Sequence, residues 1–405
     1  MGNKKGPIGW LDKSFFEKVL GQAKNDKSLT VKDFFINRHV SASEQFSSTL
    51  YRAIVSYRSK DRLEQIAFVI KLTSSKTNRL DDVASFENEA NLYKDTIRRM
   101  QSLFKTSGEA NVQLAPELVF VSVDPQPMII LEDVSSKKYE LHKGLMNLTN
   151  SMLVARKLAI FHASSYSLLN DTKNKNPINV SNGLFNGTAN DGVKFMEQNF
   201  VIFVEEISKW SGFEKYAENF KKLIPSFWPL GLDIFKQDNR AFATTVLNHG
   251  DFHYNNMLVQ FDSSRTCVSD ILFIDFQLSF YGTPAVDLIY FLYLVCDRET
   301  RDNHRQELIY HYHLALVETL TKIGFLGKIP TLLDLNCDLL RCGFLEVIIS
   351  VCFMPFLFAD YNAIQNVFSS AQNATEYRRQ LYNNPQYGKL IEGLLPYFLH
   401  KGFIC

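Results

Sequence analysis

The hydrophobic pattern changes character along the 405 residues, and that change divides the chain. The first 30 residues are polar apart from one short amphipathic segment, Leu11 to Leu20. From Val31 the texture becomes one of short strand-like runs. Leu50 to Arg58 alternates, with Tyr51, Ala53, Val55 and Tyr57 on one face, and Gln65 to Leu72 is rich in β-branched and aromatic residues. Both patterns predict strands. A helix is predicted from Asp81-Asp82, whose carboxylates suit a helix N-terminus. Its apolar residues Phe86, Ala90, Tyr93, Ile97, Met100 and Phe104 recur at steps of four and three, the interval of a helical stripe. Glu117 to Val123 and Pro127 to Glu132 read as two more strands around an Asp124-Pro125 turn. Beyond Asp133 the pattern is helical, except for a strand-rich island between Asn256 and Phe276. The expected fold is α+β and bilobal: a small antiparallel-sheet domain with one long helix over 1–133, then a larger, mostly helical domain over 134–405.

Composition narrows the class. Hydrophobic residues at 46% and charged residues at 21% are ordinary for a globular chain. A net charge of +1 offers no strong field for nucleic acid or an anionic membrane, so neither is expected as a partner. The six cysteines form no CxxC pair, which suits a reducing compartment and lacks zinc-ligand spacing. MGNKKGPIGW has no apolar signal core, and the expected location is cytoplasmic. Cys342 to Phe358, the most apolar stretch, contains Glu346 and Pro355 and is shorter than the roughly 20 residues a spanning helix needs. It reads as a buried helix.

Chemistry concentrates in His249-Gly250-Asp251-Phe252-His253-Tyr254-Asn255-Asn256. Phosphoryl transfer needs a carboxylate beside the attacking hydroxyl and metal ligands that hold the nucleotide phosphates in line. The spacing H-x-D-x-x-x-x-N puts both on one loop: Asp251 as base, Asn256 as a magnesium ligand. Asn255 is one residue early. Met257 to Phe261 reads as a strand, the Asp262-Ser263-Ser264 turn leads to a second at Ile271 to Ile274, and Asp275 at its end becomes the second magnesium ligand.

Upstream, Lys71 sits inside the apolar strand Phe68-Val69-Ile70-Lys71-Leu72. A lysine there needs an anion, and nucleotide phosphates with a helix glutamate supply one. Glu89 lies about 60° from the centre of the apolar stripe and Glu87 about 100°, so Glu89 is the expected partner. Val69, two residues before Lys71, shares its face and is positioned to cover adenine. The backbone around Leu131, Glu132 and Asp133, where the last small-domain strand ends, is the expected adenine hinge.

HGDxxxxN followed by Ile274-Asp275-Phe276-Gln277 and Phe280-Tyr281-Gly282-Thr283-Pro284-Ala285-Val286-Asp287-Leu288 resembles the ecdysteroid kinase-like family of insects, within the choline kinase and aminoglycoside phosphotransferase group. Phe86…Glu89…Tyr93, Leu131-Glu132-Asp133 and Phe161-His162-Ala163 follow the same order, so the similarity spans roughly residues 30 to 360. The resemblance implies a bilobal protein-kinase-like fold and transfer of the γ-phosphate of ATP, with Mg²⁺, to a hydroxyl of an apolar small molecule, an ecdysteroid or xenobiotic alcohol; the chain is expected to act as a monomer. It carries Asp251 over as base, Asn256 and Asp275 as magnesium ligands, Lys71 as the phosphate lysine, Glu89 as its partner and Asp287 as a brace for the catalytic loop. Ser43 stands where the family carries a glycine in its phosphate-covering turn; the hydroxyls of Ser43, Ser47 and Ser48 are then the substitute donors.

Two alternatives remain at the level of the residues: a choline- or aminoglycoside-type kinase with a cationic substrate, and a non-catalytic nucleotide- or hormone-binding pseudokinase. His162 reads as a core histidine bonded to backbone, and His249 as a residue that orients the loop. Trp210, Trp228, Phe344 and Phe356 mark neighbourhoods suited to closing over an acceptor.

Overall fold

The computed structural model describes residues 8–39, 48–60, 62–73, 80–108, 112–171, 183, 191–236, 242–359 and 374–405. It is a mixed α/β protein with antiparallel sheets and many helices. The chain forms two compact units: one takes the described residues of Met1–Gln101, Val112–His142 and Met257–Gln277, the other those of Ser102–Asn111, Lys143–Asn256 and Leu278–Cys405. This differs from a single division after Asp133, because the hairpin that ends at Asp275 packs with the first unit. Strand pairing outweighs sequence distance there.

The first unit is built on a five-stranded antiparallel sheet in the order β1-β2-β3-β5-β4: β1 (Thr30–His39), β2 (Ser48–Ser59), β3 (Arg62–Thr73), β4 (Leu118–Ser122) and β5 (Met128–Glu132). The alternation seen in β2 and β3 decides which face is buried. Tyr51, Ala53, Val55 and Tyr57 join Phe68, Ile70, Leu72, Met128 and Ile130 in one core. Helix α1 (Lys13–Ala23), capped by Asp12 accepting from the Phe15 amide, closes that core with Phe16, Val19 and Leu20. Each such side chain contributes about 1.5–3 kcal/mol by leaving water. The opposite sheet face keeps Val69 and Lys71.

The predicted long helix is present as α2 (Leu80–Asn91), a π-helical turn at Leu92–Thr96 and α3 (Ile97–Thr106). All six residues of the expected stripe, Phe86 to Phe104, are buried. The hairpin β8 (Met257–Phe261) and β9 (Val268–Phe273) extends a second sheet, β6-β8-β9, with β6 at Tyr139–Leu141.

The second unit is mostly helical: α4 (Leu148–Leu169), α5 (Asp191–Ile207), α6 (Glu214–Leu223), α7 (Phe227–Phe235), α8 (Ala285–Leu294), α9 (Arg298–Lys322), α10 (Leu332–Arg341), α11 (Gly343–Cys352), α12 (Ala374–Tyr382) and α13 (Pro385–His400). A short antiparallel pair, β7 (Val246–Asn248) and β10 (Phe280–Gly282), runs among them. Every residue of α8 and α11 is buried, as expected of helices apolar on all sides. Glu346 in α11 is held by Arg305 at 2.6 Å and by the Tyr293 hydroxyl at 2.6 Å. Among the described residues no single helix is long and apolar enough to cross a membrane; one pair, Leu332–Arg341 with Gly343–Phe358, passes by length and composition but bends by 52°. All six cysteines are unpaired.

Candidate active site

In the first unit, β3 presents Lys71 on the face opposite the core. Its Nζ lies 2.6 Å from Glu89 Oε2 and 2.7 Å from Asp275 Oδ1. Burial opposes the charge of Lys71, but the carboxylates of Asp275 and Glu89 outweigh it and hold the ammonium above its ordinary value. Burial pushes the Glu89 carboxyl up, against the pull of Lys71. Glu89, and not the exposed Glu87, faces the lysine because the helical stripe turns it inward. The contact between Lys71 and Asp275 was not legible in the sequence; 204 positions separate the two.

Asp275 adopts φ +67°, a left-handed conformation that costs a non-glycine residue energy and clusters at functional sites. Helix α2 holds the segment after it: Asn88 Nδ2 donates to Gln277 O at 3.1 Å and Phe276 O at 3.5 Å, and the Tyr93 ring meets Phe276 edge-on at 5.4 Å. Asn88 and Tyr93 therefore position the turn that follows Asp275, a role not legible in the sequence. Their one signal was adjacency to Glu89 on the buried stripe.

At the expected hinge, Val69 pairs with Leu131 across β3 and β5, so the two side chains share the face of Lys71. The backbone donors differ from expectation. The Glu132 amide donates to Glu117 O at 2.9 Å and the Asp133 amide to Ala67 O at 3.2 Å, so the sheet takes both and neither remains for adenine. Their side chains are engaged as well: Glu132 pairs with Lys137 at 2.6 Å, and Asp133 accepts from Arg52 Nε and, at 2.9 Å, from the Ser135 amide. Burial works to raise the Asp133 carboxyl, but Ser135 and Arg52 hold it below its ordinary value. Ser48 opens β2 opposite Thr73. Ser43 and Ser47 lie outside the described residues.

In the second unit, β7 delivers the chain into the loop His249–Asn256. Gly250 sits at φ +82°, and a Cβ there would come within 2.1 Å of Leu278 O; only glycine fits without displacement. Asp287, buried in α8, accepts from the His249 amide at 2.6 Å and the Gly250 amide at 3.0 Å. Asn248 Oδ1 accepts from the Asp287 amide at 3.3 Å.

Asp251 follows this clamp with its side chain 25% exposed, enough to meet a ligand. Asn256 Nδ2 donates to Asp251 O at 2.9 Å and to its Oδ2 at 3.2 Å. His253 Nε2 lies 3.4 Å from Asp251 Oδ2, and His253 Nδ1 accepts from the Asn255 amide at 3.3 Å. The Asp251 amide donates to His249 Nδ1 at 3.4 Å. Burial works to raise the Asp251 carboxyl, but His253, His249 and the Asn256 amide outweigh it and keep it below the ordinary carboxylate range. Asp251 is thus a partly exposed carboxylate held toward its ionised form on a clamped loop. Because Asn256 spends its Nδ2 on Asp251, its Oδ1 is the atom left for a metal.

His162 is buried, as expected of a core histidine, but it is bonded to side chains: Nε2 to Asp287 Oδ2 at 3.1 Å and Nδ1 to the Tyr312 hydroxyl at 2.7 Å. Of the aromatic neighbourhoods, Phe344 is core, packed on Phe200 and Phe227. Trp210 lines a cavity of about 300 Å³ with Phe213, Tyr382 and Pro385.

Among the described residues, no three His, Cys, Asp or Glu side chains gather as a metal site. In the first unit Asp275 offers a carboxylate and in the second Asn256 offers an amide oxygen; taken singly, each is the kind of oxygen donor that Mg²⁺ prefers.

The model of the ecdysteroid kinase-like family matches residues 42–325, and the chain belongs to that family. Membership makes it a kinase-like protein of the small-molecule phosphotransferase type. No curated protein matches the chain.

Proposed function

We propose that the protein transfers the γ-phosphate of ATP to a hydroxyl of a bulky, apolar small molecule, an ecdysteroid or a xenobiotic alcohol, acting as a monomer in the cytoplasm. The observation that carries the reading is Asp251: a partly exposed carboxylate kept ionised by its neighbours, on a loop whose backbone is clamped by Asp287. An ionised carboxylate in that setting suits removal of a hydroxyl proton. Lys71 attracts phosphate oxygens, and Glu89 aims its ammonium. Asp275 and the Asn256 amide oxygen are the protein's ligands for Mg²⁺. Bound MgATP supplies the phosphoryl group and the neutralising charge. In this reading the two compact units are the two lobes of a kinase-like fold.

Asp251→Asn tests it directly. Phosphate transfer should fall by about 10²–10⁴-fold while MgATP still raises the melting temperature; unchanged turnover would sink the mechanism. Assay across a panel of steroids, plant alcohols and cationic alcohols identifies the acceptor. Turnover confined to the cationic members would replace the apolar-acceptor reading by a choline- or aminoglycoside-type one.

A further inference from the structure

We infer that His162 and Tyr312 are positioning residues for the catalytic loop, with the Tyr312 hydroxyl fixing the imidazole tautomer through which His162 holds Asp287. The inference deepens the phosphotransfer reading and rests on it only for the kinetic part of its test.

His162 lies in α4, Tyr312 in α9 and Asp287 in α8, and all three are 0% exposed. One chain of bonds links them to the loop. Tyr312 Oη meets His162 Nδ1 at 2.7 Å, and His162 Nε2 meets Asp287 Oδ2 at 3.1 Å. The two Asp287 oxygens accept from the His249 and Gly250 amides. An ionised carboxylate can only accept, so the Nε2 that faces it carries a hydrogen. The Tyr312 phenol is a donor at all working pH, since burial and the charge of Asp287 raise it well above its ordinary value. A neutral imidazole has one donor and one acceptor; with the donor at Nε2, Nδ1 is the acceptor for the phenol hydrogen, which assigns one tautomer.

The backbone of His162 is tied to the same strand. Ser165 Oγ donates to His162 O at 2.9 Å and accepts from the Leu247 amide in β7 at 3.0 Å. Helix α4 therefore grips both sides of the loop: β7 before it and Asp287 beneath it. Asp287 Oδ2 serves His162 and the His249 amide together. Without the imidazole the carboxylate would be free to rotate toward other donors. The amides of His249 and Gly250 would follow, and so would Asp251, the next residue. A displacement of about 1 Å at a reacting group is enough to cost about 10²-fold in rate.

Three full-length variants test this: Tyr312→Phe, His162→Gln, which keeps a donor at the Nε2 position, and His162→Leu, which removes it. The first readout is the ¹⁵N shifts of the His162 ring. Wild type should show hydrogen on Nε2 and a lone pair on Nδ1, and Tyr312→Phe should lose that single tautomer. The second is hydrogen exchange at the His249 and Gly250 amides, which should quicken in Tyr312→Phe and more in His162→Leu. The third is kinetic: His162→Leu should lower kcat by about 10–100-fold, as expected for a lost bond to a buried charge, with KM for ATP little changed and His162→Gln recovering most of it. A proton on His162 Nδ1 in wild type overturns the tautomer assignment. Amide protection and kcat unchanged in both Tyr312→Phe and His162→Leu, even with a lower melting temperature, reduces the pair to packing and overturns the inference. If wild type transfers no phosphate but the ring and amide readouts respond as expected, the positioning role stands and the phosphotransfer reading falls.

Discussion

The two halves of the candidate chemistry are held in place by opposite means. Around Lys71 the functional groups hold one another: one ammonium between two carboxylates, at 2.6 and 2.7 Å. Around Asp251 the loop backbone is held by a residue outside the proposed chemistry, Asp287, which accepts two loop amides and a histidine while fully buried. The first arrangement can exchange partners, because phosphate oxygens offer Lys71 the same charge that Asp275 does. The second cannot, because a buried amide that loses its acceptor has nowhere else to turn.

That contrast is open to test, and the largest effect belongs to Asp251→Asn, which should remove transfer and spare the fold. Asp287→Ala should do both kinds of damage. Two buried amides lose their acceptor, at about 1–3 kcal/mol each, so a fall in melting temperature should accompany the loss of kcat. Lys71→Met leaves Glu89 buried beside Asp275 without a cation, and breaking a buried pair in this way costs about 3–5 kcal/mol. Glu89→Gln leaves Lys71 its Asp275 partner; denaturant unfolding should place it well above Lys71→Met in stability, with a raised KM for ATP. Equal destabilisation by these two would break the idea of exchangeable partners.

Gly250→Ala should cost about 1–3 kcal/mol for the left-handed conformation alone, plus displacement at Leu278 O. The smallest effect concerns pH. The Asp133 carboxyl is depressed in the folded state by Ser135 and Arg52, so its contribution is present above the unfolded value of about 3.9 and is lost as pH falls through the folded one. Melting temperature plotted against pH should therefore drop less steeply on the acid side in Asp133→Asn than in wild type.

How far the sequence could be read follows the same divide. His249 to Asn256 was legible because its spacing is local: Asn256 reaches Asp251 five positions away. Lys71 was legible because a charge in an apolar strand demands an anion, and helical periodicity singled out Glu89. The bonding of the hinge backbone was not legible. Whether Glu132 and Asp133 donate to a ligand depends on Glu117 and Ala67, and a strand's neighbours are not written in its own residues. His162 was placed correctly in the core but given the wrong partners, because Tyr312 is 150 positions away.

The sequence by itself determined the main strands and the long helix of the first unit, the helical character of the second, the family, and which residues carry charge where charge is costly, since periodicity and burial are properties of short segments. Tertiary structure alone decided what holds those residues: Asp275 against Lys71, Asn88 under the turn that follows it, and Asp287 between His162 and the loop. Hydrogen bonds act over about 3 Å, while the residues that make these are far apart along the chain. Only folding brings them within that range.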